Sequence, residues 1–162
     1  MLDARKRRPF DAVVWSVSLV FAAIFPAAAT ADAHRYSNAN ATYQAECGSC
    51  HIAYPPALLG PDGWRGIMSG LDRHFGTDAS VGEAKRAELA AYLERSAGTR
   101  KVAGAARITE AGWFRKEHSE VAAAAWKSPS VKSAANCEAC HREAAAGDFS
   151  ERNIRMPDGR AR

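Results

Sequence analysis

The sequence predicts an all-α fold in which short helices and long loops pack around bulk that the side chains do not supply. Apolar residues recur at helical spacing along the chain, and alternating strand patterns are absent. The 47% hydrophobic fraction leans on alanine, with few large aliphatic residues, so a core made of protein alone would be thin. All four cysteines fall in two C-x-x-C-H boxes, Cys47-Gly48-Ser49-Cys50-His51 and Cys137-Glu138-Ala139-Cys140-His141. In such a box the two thiols add to the vinyl groups of a haem and the adjacent histidine ligates its iron. Two covalently attached c-type haems would supply the missing bulk.

The competing readings of the cysteines explain less. Two disulfides are the ordinary expectation for four cysteines in an exported chain, but a bridge inside C-x-x-C is a redox device rather than a scaffold, and neither box sits in a βαβ pattern. A four-cysteine zinc site leaves both following histidines without a role. Haem attachment accounts for both cysteine pairs and both histidines.

Residues 1–33 carry the marks of a cleavable export signal. Arg5-Lys6-Arg7-Arg8 form a basic start, and residues 12–25 an apolar run broken only by Ser16 and Ser18. Ala31-Asp32-Ala33 fits the small-x-small cleavage pattern. The run is short for a spanning helix, which needs ~20 residues. The expectation is a periplasmic protein cut near Ala33, the compartment in which haem is attached to an unfolded exported chain. The formal charge of +4 falls to +3 without residues 1–33, with 18 basic and 15 acidic residues left. Haem propionates would offset it further. No aromatic-laced basic patch accompanies that charge, which argues against nucleic acid as a partner.

The rest of the 162-residue chain divides into a first haem half at 34–98, a connector at 99–108 and a second haem half at 109–162. Residues 34–40 are expected to be loose, followed by a helix from Ala41 into the first box, with Tyr43 one turn before Cys47 and Pro55-Pro56 as its stop. A helix over 62–74 would place Trp64, Ile67, Leu71 and His74 on one face. Its glycines weaken it but allow close approach to a flat ring. Ser80 and Glu83 offer a capping box for a helix over 81–95 bearing Leu89, Tyr92 and Leu93, with Gly98 as its stop. Thr109 is expected to cap a helix running through Phe114, His118, Val121 and Ala125. A last helix over 131–146 would carry the second box and end at Gly147. The tail 148–162 has no period and is expected at the surface or partly unstructured.

The sixth iron position decides what such haems do: open, it takes small ligands; filled by a side chain, it suits electron transfer. The boxes provide His51 and His141. Of the other histidines, His74 and His118 lie on apolar helix faces, where a histidine is ordinarily just a satisfied core residue. Two irons needing sixth ligands change that weighting. The separations from His51 to His74 and from His118 to His141 are both 23 residues. Proximity pairs His51 with His74 and His141 with His118, while a crossed pairing stays open. Met156 follows His141 by a tail that looks short for reaching the opposite face, Met68 suits core packing, and His34 suits a solvated terminus.

Taken together, these residues resemble the small bacterial dihaem cytochrome c (DHC) family. The matching pieces are Glu46-Cys47-Gly48-Ser49-Cys50-His51, Ala53-Tyr54-Pro55-Pro56, Trp64, Leu71 and His74-Phe75-Gly76. Beyond the connector they continue with Arg107-Ile108-Thr109, Trp113-Phe114, Glu117-His118, Ser133, Asn136 through His141, and Phe149-Ser150-Glu151-Arg152. The resemblance implies two low-spin, bis-histidine haems in a monomeric electron carrier, not an enzyme. Its implied partners are a membrane b-type cytochrome and a small oxygen-binding monohaem cytochrome c, met through brief docking. A haem enzyme with one open iron, such as a peroxidase or reductase, is the alternative from another class. The small dihaem subunit of a periplasmic nitrate reductase is the alternative within electron transfer.

Overall fold

The computed structural model describes residues 34–100 and 107–157. The expected export signal at 1–33, most of the connector and the last five residues lie outside the described residues. Among the described residues five α-helices follow one another: α1 Ala41–Cys47, α2 Pro61–Ser69, α3 Glu83–Ser96, α4 Gly112–Glu117 and α5 Ala123–Trp126, with one 3-10 turn between each successive pair of α1 to α4 and three more after α5. Among the described residues there is no strand, only isolated bridges, and no helix long and apolar enough to cross a membrane.

The first half packs on itself. Asn40 caps α1 by accepting the Tyr43 backbone N–H at 2.7 Å. The buried Tyr43 hydroxyl donates to the Tyr54 carbonyl at 2.7 Å, and the Trp64 indole N–H donates to the Pro56 carbonyl at 2.8 Å. Pro61 starts α2 at its first position, where no backbone donor is needed. Trp64 and Met68 of α2 then meet Leu89 and Leu93 of α3, with Tyr43, Ala53 and Leu59 completing one apolar cluster. Leu59, Leu89 and Leu93 are at most 1% exposed, so the cluster excludes water.

Several expected elements form differently. α1 ends at Cys47 with Gly48 as its cap, so the box turns out of the helix before His51 and the prolines do not stop it. α2 stops at Ser69, because Gly70 takes a non-helical conformation, and His74 is delivered by a separate 3-10 turn at Leu71–Arg73. The expected capping box does not close. Gly82 precedes α3 without a side-chain cap, while the Ser80 backbone N–H donates to the Asp78 carboxylate, which keeps Ser80 in a turn.

The helix expected through Phe114 to Ala125 breaks at His118, whose backbone and ring both use the Phe114 carbonyl. A side chain that competes for the carbonyl of the preceding turn favours a helix end. The last helix does not form; 131–146 is a run of turns with short 3-10 pieces at Cys137–Ala139 and Ala144–Ala146. Gly147 does end that run, at φ +78, and a side chain there would strike the Tyr36 carbonyl.

Residues 34–36 and 147–149 are also tied down rather than loose. Tyr36 N–H donates to Gly147 O at 2.9 Å and Phe149 N–H to His34 O at 2.8 Å, so residues 34–36 of the first half lie against 147–149 of the second. Arg35 pairs with Asp148 at 2.8 Å. The buried Asp148 carboxylate also accepts from the Ser150 backbone N–H and the Asn153 amide, both at 2.9 Å, and bonds the Ser150 hydroxyl. Buried Asp148 and Ser150 make residues 148–157 part of the packed structure, because a charge is tolerated inside only when its lone pairs are filled.

Candidate functional site

Two histidine pairs stand out. The His51 and His74 ring centroids are 6.2 Å apart with planes 28° from parallel. Those of His118 and His141 are 6.1 Å apart with planes at 75°. Two metal–imidazole bonds of about 2.0 Å, plus two ring-centre offsets of roughly 1.2 Å, separate centroids by about 6.4 Å. Each pair therefore leaves room for one metal atom held from both sides. The crossed pairing does not occur in this geometry.

The tautomers agree with that use. His51 Nδ1 lies 2.7 Å from the Ile52 carbonyl, and His118 Nδ1 lies 2.8 Å from the Phe114 carbonyl. A carbonyl only accepts, so each Nδ1 carries the hydrogen and each Nε2 keeps its lone pair. Burial, reinforced by nearby His118, pushes the His141 pKa down to about 4, which holds the ring neutral as a metal ligand requires. His74 is also shifted down, by burial first and then by the neighbouring His51 and Arg107.

The turn that presents His74 is strained. Phe75 has φ +49 and Gly76 φ +98, and Thr77 N–H closes back to His74 O at 3.1 Å. A bulky residue in the left-handed region is uncommon, and here it stacks edge-on against the His74 ring at 4.8 Å. Arg107 lies 4.1 Å over the other aromatic surface of Phe75. On the other side of the pair, the Tyr54 ring stacks on His51 at 4.7 Å.

The second pair faces a cavity of about 350 Å³ whose wall includes both histidines and both cysteines of the second box. Aromatic rings complete it: Phe114 stacks on His118 at 4.0 Å, and Phe149 meets His141 at 5.2 Å. Two buried polar atoms on this wall, Trp113 Nε1 and His141 Nδ1, have no hydrogen-bond partner among the described residues. A buried donor is seldom left unpaired. An apolar, flat-walled cavity with an unanswered donor fits a tetrapyrrole with a polar edge. Near the first box, a smaller cleft is lined by Cys50 and His51 together with Glu138 and Ala145 of the second half, so the two boxes are neighbours.

All four cysteines are free thiols. Burial pushes Cys47 and Cys137 up to about 11 and raises Cys140 as well, so these sulfurs stay protonated rather than reactive thiolates. Each box thus offers two sulfurs and one imidazole on a tight turn. A c-type haem held there would supply a one-electron iron couple, with the cysteines of each box to attach it and the following histidine to bind its iron.

Sequence reasoning missed part of this wall. Met156 and His34 line the same cavity as His118 and His141, because the tail folds back: Arg155 N–H donates to Cys140 O at 2.9 Å, and Ile154 bridges to His141. Tyr54 and Trp113 stood among the family-like residues without a role. No local pattern marks them, since their partners lie far away in sequence.

The sequence profile of the dihaem cytochrome c family matches residues 43–149. A search of curated proteins finds no match. Among solved structures, a dihaem cytochrome c from Shewanella baltica OS155 is 38% identical, with a TM-score of 0.69 over 76% of this chain and 98% of that one. A structure of DHC purified from Rhodobacter sphaeroides is 36% identical, with a TM-score of 0.59 over 68% of this chain and 97% of that one. A second dihaem cytochrome c structure from Rhodobacter sphaeroides is 35% identical, with a TM-score of 0.63 over 70% and 99%. With the profile spanning both boxes and the helical fold shared, the chain belongs to the dihaem cytochrome c family, whose two c-type haems serve electron transfer.

Proposed function

We propose that this protein is a periplasmic electron carrier with two low-spin, bis-histidine haems. His51 and His74 ligate the first iron, and His141 and His118 the second; Cys47, Cys50, Cys137 and Cys140 hold the two macrocycles. The observation that carries this reading is the near-identical spacing of the two imidazole pairs, 6.2 and 6.1 Å. Filled on both sides, an iron has no position left for a substrate, and the protein cycles its charge without binding anything new. The chain passes electrons between a membrane b-type cytochrome and a soluble partner, a small oxygen-binding monohaem cytochrome c being the one suggested by family likeness. Docking is brief and small, ~1,000 Å² or less in total. The 1–33 segment directs export, and N-terminal sequencing of the mature protein is expected to begin at His34.

Absorption and EPR spectra of the oxidised protein test the ligation. Two low-spin ferric haems, unchanged by carbon monoxide after reduction, are expected. His74→Ala and His118→Ala are each expected to convert one haem to high spin. A high-spin signal in the unaltered protein would instead favour a haem enzyme with one open iron. Because Met156 and His34 share the second cavity, a His118→Ala protein that stays low-spin would point to one of them as ligand.

A further inference from the structure

Tyr54 touches both haem sites at once. Its ring stacks on His51, with centroids 4.7 Å apart and planes 20° from parallel. Its hydroxyl donates to the carbonyl of Ala135, 81 residues away in sequence, at 2.7 Å. The same carbonyl lies 3.7 Å from Cys137 Sγ, one of the two attachment sulfurs of the second box. The Tyr54 carbonyl in turn accepts from the buried Tyr43 hydroxyl, and Pro55 and Pro56 follow, so the backbone that carries the ring is held from both sides. A direct hydrogen bond thus joins a neighbour of the first box to the backbone just before the second box.

We propose that Tyr54 is a positioning residue that couples the two haem sites, giving an electron a continuous contact route from His51 through the phenol and the Ala135 carbonyl to Cys137. This rests on the ligand role proposed for His51. The step moves one electron. One iron goes from ferrous to ferric and the other from ferric to ferrous, no covalent bond forms or breaks, and the phenol keeps its proton throughout. The hydroxyl donates to a backbone carbonyl, which can only accept, so the phenol keeps its hydrogen along this route. Electronic coupling falls more steeply across a gap than along bonds and hydrogen bonds. A stacked ring anchored by one hydrogen bond therefore shortens the effective path without entering the redox chemistry itself. Coupling along such a chain requires a direct energetic or kinetic test rather than adjacency alone.

That test compares Tyr54→Phe and Tyr54→Leu in the haem-loaded protein. Electron exchange between the haems is read by flash photoreduction, and each haem's spectrum, each midpoint potential and the thermal midpoint are recorded alongside it. Tyr54→Phe keeps the ring and removes the anchor, and it is expected to slow exchange several-fold while both low-spin spectra persist. Tyr54→Leu removes the ring as well and is expected to slow it further. Exchange at the unaltered rate in both variants overturns the proposal. So does full rescue by Phe of everything that Leu loses, because that pattern belongs to packing alone. If the unaltered protein shows a high-spin first haem, the bis-histidine ligation of that iron fails, and that result is separate from the exchange rates of the variants.

Discussion

Around the first box the chain packs on itself, and around the second it packs around a cavity. The first half places Tyr43, Trp64, Met68, Leu89 and Leu93 in one water-free cluster built by α2 and α3. The second half buries Ala111, Phe114, Val131 and Ala144 in separate places, and its longest helix, α4, has six residues. Its large apolar and aromatic side chains line a space instead of filling it. Helices this short have little stability of their own and depend on what they pack against. The difference teaches that the first half has a core of its own side chains, whereas the apolar side chains of the second half converge on a cavity.

The largest effect expected from that contrast is loss of the second haem. Cys137→Ala/Cys140→Ala should abolish hydrogen-exchange protection across residues 107–157 while α3 keeps its own. Cys47→Ala/Cys50→Ala should remove the first haem and still leave α2 and α3 protected. Equal protection in both double variants would break the comparison. Next in size are substitutions of buried side chains. Leu89→Ala should lower unfolding stability by about 2–5 kcal/mol in denaturant titrations and leave the second haem's spectrum alone. Phe114→Ala, whose ring stacks on His118, should instead alter that spectrum at matched stability.

The smallest effect concerns the staple between the termini. Hydrogen bonds from Ser150, with Arg35 and Arg152 nearby, hold the Asp148 carboxyl below the usual carboxylate range. A depressed carboxylate contributes stability that is complete above its unfolded value and is lost as pH falls through its folded value. Asp148→Asn should therefore lower the thermal midpoint at neutral pH, and the gap from the unaltered protein should close on acidification. A gap that widens in acid would show that another group controls the staple.

How much of this was legible beforehand differs by element. α3 formed close to where its apolar residues placed it, because Leu89 and Leu93 pack against α2, which is near in the chain. His74 and His118 were singled out by their place on apolar faces, but the regular helices expected to carry them did not form. His74 needs the turn through Phe75 and Gly76, and His118 needs a helix that ends on its own carbonyl contact. Periodicity continues a helix wherever spacing allows and has no term for a side chain that captures the backbone. The tail was misjudged for a related reason. Asp148, Ser150 and Asn153 look like surface residues until Arg35 arrives from the other end of the chain.

The sequence by itself determined the chemistry that is local. Two five-residue boxes specify two attached haems and two proximal imidazoles, since a cysteine pair and the next histidine need only one turn to act together. Tertiary structure alone decided which histidines face each other, that residues 34–36 close over the second half, and that Tyr54 reaches Ala135. Those contacts join residues far apart in the chain, where no spacing rule applies and only the packed path of the backbone sets the distance. The two boxes specify the cofactors; the fold around them sets how the two sites meet.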